Sequence, residues 1–307
     1  MISIIVPVYK AKECLGPLHD RLKQALSSTQ GITGYEIILV EDCGRDGSWE
    51  SIELLASKDP RIRAVQLSRN FGQHQCITAG LELSKGNWAV IMDCDLQDRP
   101  EDIPKLWEKA QEGFDVVNAR RGKRNDPVWK RAASRIYHFV LQNFSGLSYD
   151  PQVANFRIIN RKVINAYLSM HENFRSFGAQ VHWLGFPTAY VEIKHDGRHG
   201  GKSSYTLRKL VAMAVDTITA FSNKPLLVSA GVGFFIFLAS ICFSLYLVIR
   251  KVVWSVPIEG WASLMVSLWF LGGMIIANLG IVGLYIGKIY DETRHRPVYV
   301  ISKRVNC

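Results

Sequence analysis

Two aspartates, Asp93 and Asp95, stand one residue apart at the end of the apolar run Trp88-Ala89-Val90-Ile91-Met92, and Gln97 follows two residues on. Carboxylates so placed are oxygen ligands for a hard cation such as Mg²⁺ or Mn²⁺, which such sites typically share with a diphosphate. That points to chemistry on a nucleotide diphosphate; a solvated acidic loop is the plainer alternative. A second candidate is the polar, glycine-rich stretch over residues 195–205, which carries Arg198 and Lys202. Glycine-rich loops with basic residues suit phosphate groups, although alone they are a weak signal.

The elements that must position these groups read as an α/β domain. A strand apolar on both faces is a buried central strand, and ligands in such sheets bind at the carboxyl ends of the strands, where Asp93 and Asp95 fall. Strands read at about 2–8, 35–41, 62–67, 88–92 and 115–119, and helices at about 13–28, 48–57, 73–84 and 101–112. This alternation predicts a mostly parallel sheet with helices on both faces. A further helix reads at 128–144, and strands at 154–159 and 188–194. Residues 206–222 place Leu207, Leu210, Val211, Ala214, Ile218 and Phe221 on one helical face, which suits an interfacial helix lying on a membrane.

Beyond this domain, 226–249 and 261–287 contain no charged residue. Each is long enough to cross a hydrocarbon core of about 30 Å, and soluble helices of this length rarely lack a charged face. The predicted organisation is a domain at 1–205, an interfacial helix at 206–224, a two-helix membrane hairpin at 225–288 and a tail at 289–307.

The formal net charge is +10. The basic residues are not interleaved with aromatics as in a nucleic-acid groove. Many flank the spans: Lys202, Arg208, Lys209 and Lys224 before the first, and Lys288, Arg294, Arg296, Lys303 and Arg304 after the second. Positively charged loops stay cytoplasmic, so the domain and both ends of the hairpin are expected in the cytoplasm. Arg250 and Lys251 in the link weaken that asymmetry. Anionic lipid accounts for the charge better than nucleic acid. No basic, apolar and small-residue leader precedes the first strand, so no cleaved signal peptide is expected. The six cysteines are scattered without metal-ligand spacing, which suits a reducing compartment.

The chain resembles family 2 glycosyltransferases of the group that moves a sugar from a nucleotide onto a polyprenyl phosphate. The likeness runs through Ile4-Ile5-Val6-Pro7-Val8-Tyr9, Val40-Glu41-Asp42, Ser68-Arg69-Asn70-Phe71-Gly72, Asp93-Cys94-Asp95-Leu96-Gln97-Asp98, Asn155-Phe156-Arg157, the loop at Arg198 and both spans. The resemblance implies a GT-A, Rossmann-like fold. It implies that Pro7, Tyr9, Glu41 and Asp42 border the nucleobase and ribose, that Arg69 and Arg120 bind the nucleotide sugar, and that Asp93, Asp95 and Gln97 hold the metal. Arg131, Arg198 and Lys202 are then the lipid-phosphate ligands, and Asp95, Asn155 and Arg198 the catalytic set. The plainer alternative is turn chemistry at strand ends for Asp42 and a solvated helix charge for Arg131.

The resemblance further implies an inverting transfer to polyprenyl (undecaprenyl) phosphate. UDP-glucose is the first expected donor, and the inner membrane the expected location. It also implies a homo-oligomer, with a tetramer as one form. Gly280, Gly283 and Gly287 on one face of the second span suit close helix approach.

Three positions depart from the family pattern. Glu41 stands where Asp is usual, Asn155 where many relatives carry an acid, and Ser204 where many carry Lys. An amide cannot act as a general base, although Asn155 retains hydrogen bonds with which to orient an acceptor. Lys202 stands two residues from Ser204 and can supply the missing charge. A glycan-extending membrane enzyme and a non-catalytic scaffold are the alternative readings. No Gln-x-x-Arg-Trp motif of processive synthases is present.

Overall fold

The computed structural model describes residues 1–121, 153–193, 218–219, 222–254 and 260–307. Arg131, Arg198, Lys202 and Ser204, most of the predicted interfacial helix and the predicted helix at 128–144 lie outside them. The described residues form two units. One comprises 1–121, 153–193 and 296–307, and the other 218–219, 222–254 and 260–295.

The first unit is built on an eight-stranded sheet. In chain order its elements are β1 (Ile2–Val8), α1 (Lys12–Ser27), β2 (Tyr35–Glu41), α2 (Ser48–Lys58), β3 (Ile62–Leu67), α3 (Gln73–Leu83) and β4 (Trp88–Ile91). A single 3₁₀ turn then leads into α4 (Ile103–Gln111), β5 (Val116–Arg121), β6 (Val153–Asn160), α5 (Arg161–Leu168), α6 (Phe177–Trp183) and β7 (Thr188–Ile193), with β8 (Ile301–Val305) last. The strand order is β7-β5-β6-β4-β1-β2-β3-β8. Strands β1 to β4 pair in parallel, as does β5 with β7. The strand β6 runs antiparallel to β4 and β5, and β8 antiparallel to β3. The sheet is therefore mixed but mostly parallel, in a GT-A, Rossmann-like arrangement.

The β1 strand shows why the sequence folds this way. Its residues alternate between two buried faces. Ile4 and Val6 pack with Leu15, Leu18, Leu22 and Ile103 from α1 and α4, while Ile5 packs with Ile77 and Leu81 from α3. Helices cover both faces, so the strand is buried along its whole length and apolar at every position but Ser3. Pro7 is tolerated in this central strand because pairing with β4 ends at Ile5↔Ile91, where no donor is needed beyond it.

Close packing of α3 on β1 depends on Gly80. A Cβ there would lie 2.4 Å from Ile5 Cγ2. Gly80→Ala is expected to destabilise the domain by about 1–3 kcal/mol through overpacking. An unchanged melting temperature would mean that Ile5 has room to move.

Three elements escape the sequence reading. The helices α5 and α6 are short. The third is β8, placed by the sequence in a tail. In the structure it joins the sheet through Ala64↔Val305, Val65↔Arg304 and Gln66↔Lys303. Ser68 N–H donates to Val300 O at 2.9 Å, Tyr299 donates to Glu82, and Asn306 Nδ2 donates to Ile62 O at 2.9 Å.

The second unit contains α7 (Lys224–Trp254) and α8 (Trp261–Thr293). Lys224–Leu247 and Ser263–Thr293 are long and apolar enough to cross a membrane, and their most apolar stretches are not buried among the described residues. Phe235, Phe243, Trp269 and Ile276 are exposed on them. Soluble core helices would hide such side chains, so these are candidate membrane helices.

Candidate active site

The carboxyl ends of β1 to β5 and β7 share one edge of the sheet, and β6 begins at that edge. The predicted site residues that the structure describes are gathered there: Tyr9 after β1, Glu41 and Asp42 at the end of β2, Arg69 after β3, Asp93, Asp95 and Gln97 after β4, Arg120 in β5 and Asn155 in β6.

The backbone here is unusual. Lys10, Cys43, Arg45 and Leu96 all have positive φ, between 52° and 60°. Strained backbone of this kind clusters at functional sites. Gly44 sits among them because a Cβ would lie 2.9 Å from Lys10 N and 3.3 Å from Glu41 Oε1.

After β4 the chain alternates strictly. Cys94, Leu96 and Asp98 are buried, while Asp93, Asp95 and Gln97 are only partly covered. The three predicted metal ligands are therefore presented together, on a loop anchored by the buried residues between them. Asp95 Oδ1 accepts the Gln97 N–H at 3.2 Å, which holds the carboxylate against its own loop. Burial pushes the Cys94 thiol up to about 12 despite the Tyr9 backbone donor, so it is an inert spacer between the aspartates.

No group of three or more His, Cys, Asp and Glu side chains that could hold a metal occurs among the described residues. Two carboxylates fit Mg²⁺ or Mn²⁺ nonetheless, because such ions are usually held by one or two carboxylates with waters and substrate phosphates. Asp93 and Asp95 would hold the ion, with the Gln97 amide oxygen as a further donor.

Glu41 and Asp42 are almost fully buried, at 1% and 3% exposure. Glu41 accepts from Gly44 N–H at 2.6 Å, Cys43 N–H at 3.1 Å and Gln66 Nε2 at 2.9 Å. Asp42 accepts from Phe71 N–H at 2.7 Å and Gly72 N–H at 2.9 Å. Burial, with Glu41 alongside, pushes the Asp42 carboxyl above its ordinary range even against those two donors. Both acids thus brace the loops of the rim. Tyr9 is 47% exposed beside them, and exposed Arg69 stacks its guanidinium 4.2 Å from the centre of the Phe71 ring.

Two neighbours were given no role from sequence, although Arg157 lies in the Asn155-Phe156-Arg157 motif. Gln73, the first residue of α3, donates from Nε2 to Asp93 Oδ1 at 2.5 Å. Arg157, 3% exposed, donates from Nε to the Asn155 carbonyl at 3.2 Å and lies over the Phe177 ring, which fixes the backbone that carries Asn155. A polar residue opening a helix after the Phe71-Gly72 turn was the one signal that could have marked Gln73. Nothing in the sequence tied it to Asp93.

A family model described as glycosyl transferase family 2 matches residues 3–168. An uncharacterized glycosyltransferase of Bacillus subtilis, YkcC, is 33% identical over 98% of this chain and 93% of its own length. An undecaprenyl-phosphate 4-deoxy-4-formamido-L-arabinose transferase of Yersinia pestis is 34% identical over the whole chain and 94% of its own length. Among solved structures, glucosyl-3-phosphoglycerate synthase from Mycobacterium tuberculosis, in complex with Mn²⁺, UDP and glucosyl-3-phosphoglycerate, superposes with a TM-score of 0.52. It covers 71% of this chain and 77% of that one at 15% identity, a likeness of fold.

Proposed function

The chain belongs to glycosyl transferase family 2, and from that premise we propose that it transfers a sugar from a UDP-sugar to polyprenyl phosphate at a membrane, inverting the anomeric carbon. The observation that carries this reading is a pair of aspartates at the ligand edge of a GT-A sheet, in a chain that also bears two lipid-compatible helices. The printed name of the Yersinia relative, matched end to end, supports a polyprenyl-phosphate acceptor.

A divalent cation, Mg²⁺ or Mn²⁺, when bound supplies positive charge against the diphosphate of the leaving nucleotide. Arg69 and Arg120 supply fixed positive charge for the donor from the same edge. Pro7, Tyr9, Glu41 and Asp42 border the nucleoside. A phosphate monoester has a second pKa near 6, so the lipid phosphate is largely dianionic at neutral pH and needs no general base. It attacks the anomeric carbon from the side opposite the nucleoside diphosphate, which leaves with the bonding electron pair. Such a displacement inverts the configuration and gives a β-linked product from an α-linked donor.

In this reading Asn155 orients the attacking phosphate through its amide N–H, and Arg131, Arg198 and Lys202 bind that phosphate. Asn155→Ala is expected to lower kcat about tenfold, the loss of one hydrogen bond to a charged group, with the KM for donor unchanged. Full turnover would remove Asn155 from the mechanism.

We place the catalytic domain and both ends of the hairpin on the cytoplasmic face. Strand β7 precedes the two helices and β8 follows them in one sheet, so an even number of crossings suits the chain, and the flanking basic residues favour the inside. Open faces at Gly280, Gly283 and Gly287, where a Cβ would meet nothing within 4 Å, support assembly into a homo-oligomer through α8.

The test is transfer by detergent-purified protein with undecaprenyl phosphate, Mg²⁺ or Mn²⁺, and radiolabelled donors that include UDP-glucose, UDP-galactose and UDP-4-deoxy-4-formamido-L-arabinose. Label entering the lipid phase with one donor is the expected result and names the sugar. No lipid label from any donor overturns the acceptor assignment.

A further inference from the structure

Gln73 has no place in the reaction described above, yet it holds one of the two aspartates. Its Nε2 donates to Asp93 Oδ1 at 2.5 Å. Gln73 is aimed by the turn it follows, where Gly72 adopts a φ of +108°. That turn is held by Asp42, whose Oδ1 takes the Phe71 N–H and whose Oδ2 takes the Gly72 N–H. Asp42 is itself fixed at the end of β2, its own N–H donating to Val8 O at 2.9 Å. A line of contacts therefore crosses the ligand edge, from the end of β2 through the 71–72 turn and Gln73 to Asp93 in the loop after β4.

A partly exposed carboxylate swings about two side-chain torsions, and a metal ligand free to swing binds weakly. Outer partners that pin one oxygen of a ligand characteristically matter 10–100-fold in metal affinity. We propose that Gln73 is a positioning residue for Asp93 in metal binding, and that Asp42 also acts on the metal site through the 71–72 turn and Gln73. This inference rests on the metal reading given above.

The experiment is a Mn²⁺ titration of the detergent-purified full chain in the presence of UDP, read by the electron paramagnetic resonance signal of free Mn²⁺. Gln73→Ala is expected to weaken Mn²⁺ binding about tenfold or more, while UDP binding without metal stays at the parent value. Asp42→Asn retains one acceptor oxygen and turns an NH₂ group toward the other backbone donor, so it should weaken Mn²⁺ binding as well. The double variant should be no weaker than the weaker single one, as coupled residues on one path are non-additive. Should Asp42→Asn fail to fold, Gly72→Ala disturbs the same turn through its positive φ and serves in its place. Unchanged Mn²⁺ affinity in Gln73→Ala overturns the inference, and strictly additive losses overturn the part given to Asp42. A parent protein that binds no Mn²⁺ with UDP overturns the metal reading itself.

Discussion

Asp95→Asn is expected to lower sugar transfer about a thousandfold while the protein stays folded. Asparagine keeps the Oδ1 that accepts the Gln97 N–H, so the loop after β4 retains its hydrogen bond and its shape. What is lost is one full negative charge from a site with two. Removing one preorganised electrostatic group from an active site typically costs about 10²–10³ in rate, and in the proposed mechanism the loss would also weaken the hold on a divalent cation bound by Asp93 and Asp95. The measurement is lipid-phase label per unit time at saturating donor, with the melting temperature of each protein as control. Near-normal turnover with an unchanged melt would remove Asp95 from the chemistry and the metal site with it.

Glu36→Ala should be the most damaging single change to the fold. Glu36 is 6% exposed at the start of β2, far from the ligand edge. Its Oε1 accepts from Ser3 Oγ at 2.7 Å and Lys85 N–H at 2.6 Å, and its Oε2 from Arg63 Nη1 at 2.8 Å. Truncation leaves a largely buried guanidinium without its carboxylate, although Nη1 still donates to Leu83 O at 2.6 Å, and strips two further donors of this acceptor. Breaking such a pair from one side costs about 3 kcal/mol or more, which for a domain of this size is a drop in Tm of roughly 6–12 °C.

The same cluster predicts acid lability. Burial alone would raise the Glu36 carboxyl, but Ser3, the Lys85 N–H and Arg63 outweigh it, so the group titrates below its ordinary range. A lowered folded-state pKa contributes stability above the unfolded value of about 4.3 and loses it as pH falls through the folded value. Parent protein should therefore melt progressively lower below about pH 4, and Glu36→Ala should show less of that fall. A Glu36→Ala protein that melts within a degree of the parent at neutral pH would mean that the cluster relaxes around the loss.

The strands were legible where their causes are local. The runs at β1, at β4 and over Ile37–Val40 of β2 are apolar, with Ser3 the one exception, because both faces are covered, and the sequence carries that directly. The ligand edge was legible too, since Asp93 and Asp95 end such a run. The helix α5 had a readable start: Asn160 caps it by accepting the Val163 N–H at 3.0 Å, with Val163, Ile164 and Tyr167 on its buried face. Its length of only two turns hid the period.

What sequence did not carry is pairing between distant groups. Asp42 looks like a ligand from its place after a strand. Its carboxylate faces inward because two backbone N–H groups, about thirty residues away along the chain, meet it there. The bond from Gln73 to Asp93 likewise spans two elements. Strand β8 carries exposed Ser302, Lys303 and Arg304 between apolar ends, the charges of a protected sheet edge, but nothing in its five residues names β3 as its neighbour.

That neighbour sets an order of events during synthesis. Ser302 and Gln66, bonded across the β8–β3 border, are 236 residues apart. At about 5–20 residues per second, β3 waits roughly ten to fifty seconds on the ribosome before its partner exists. During that interval both apolar helices emerge, while the outer edge of β3 stands open as a template for any other strand. Nascent chains stalled between the helices and β8 should therefore be the species most prone to cross-pairing and most dependent on chaperones.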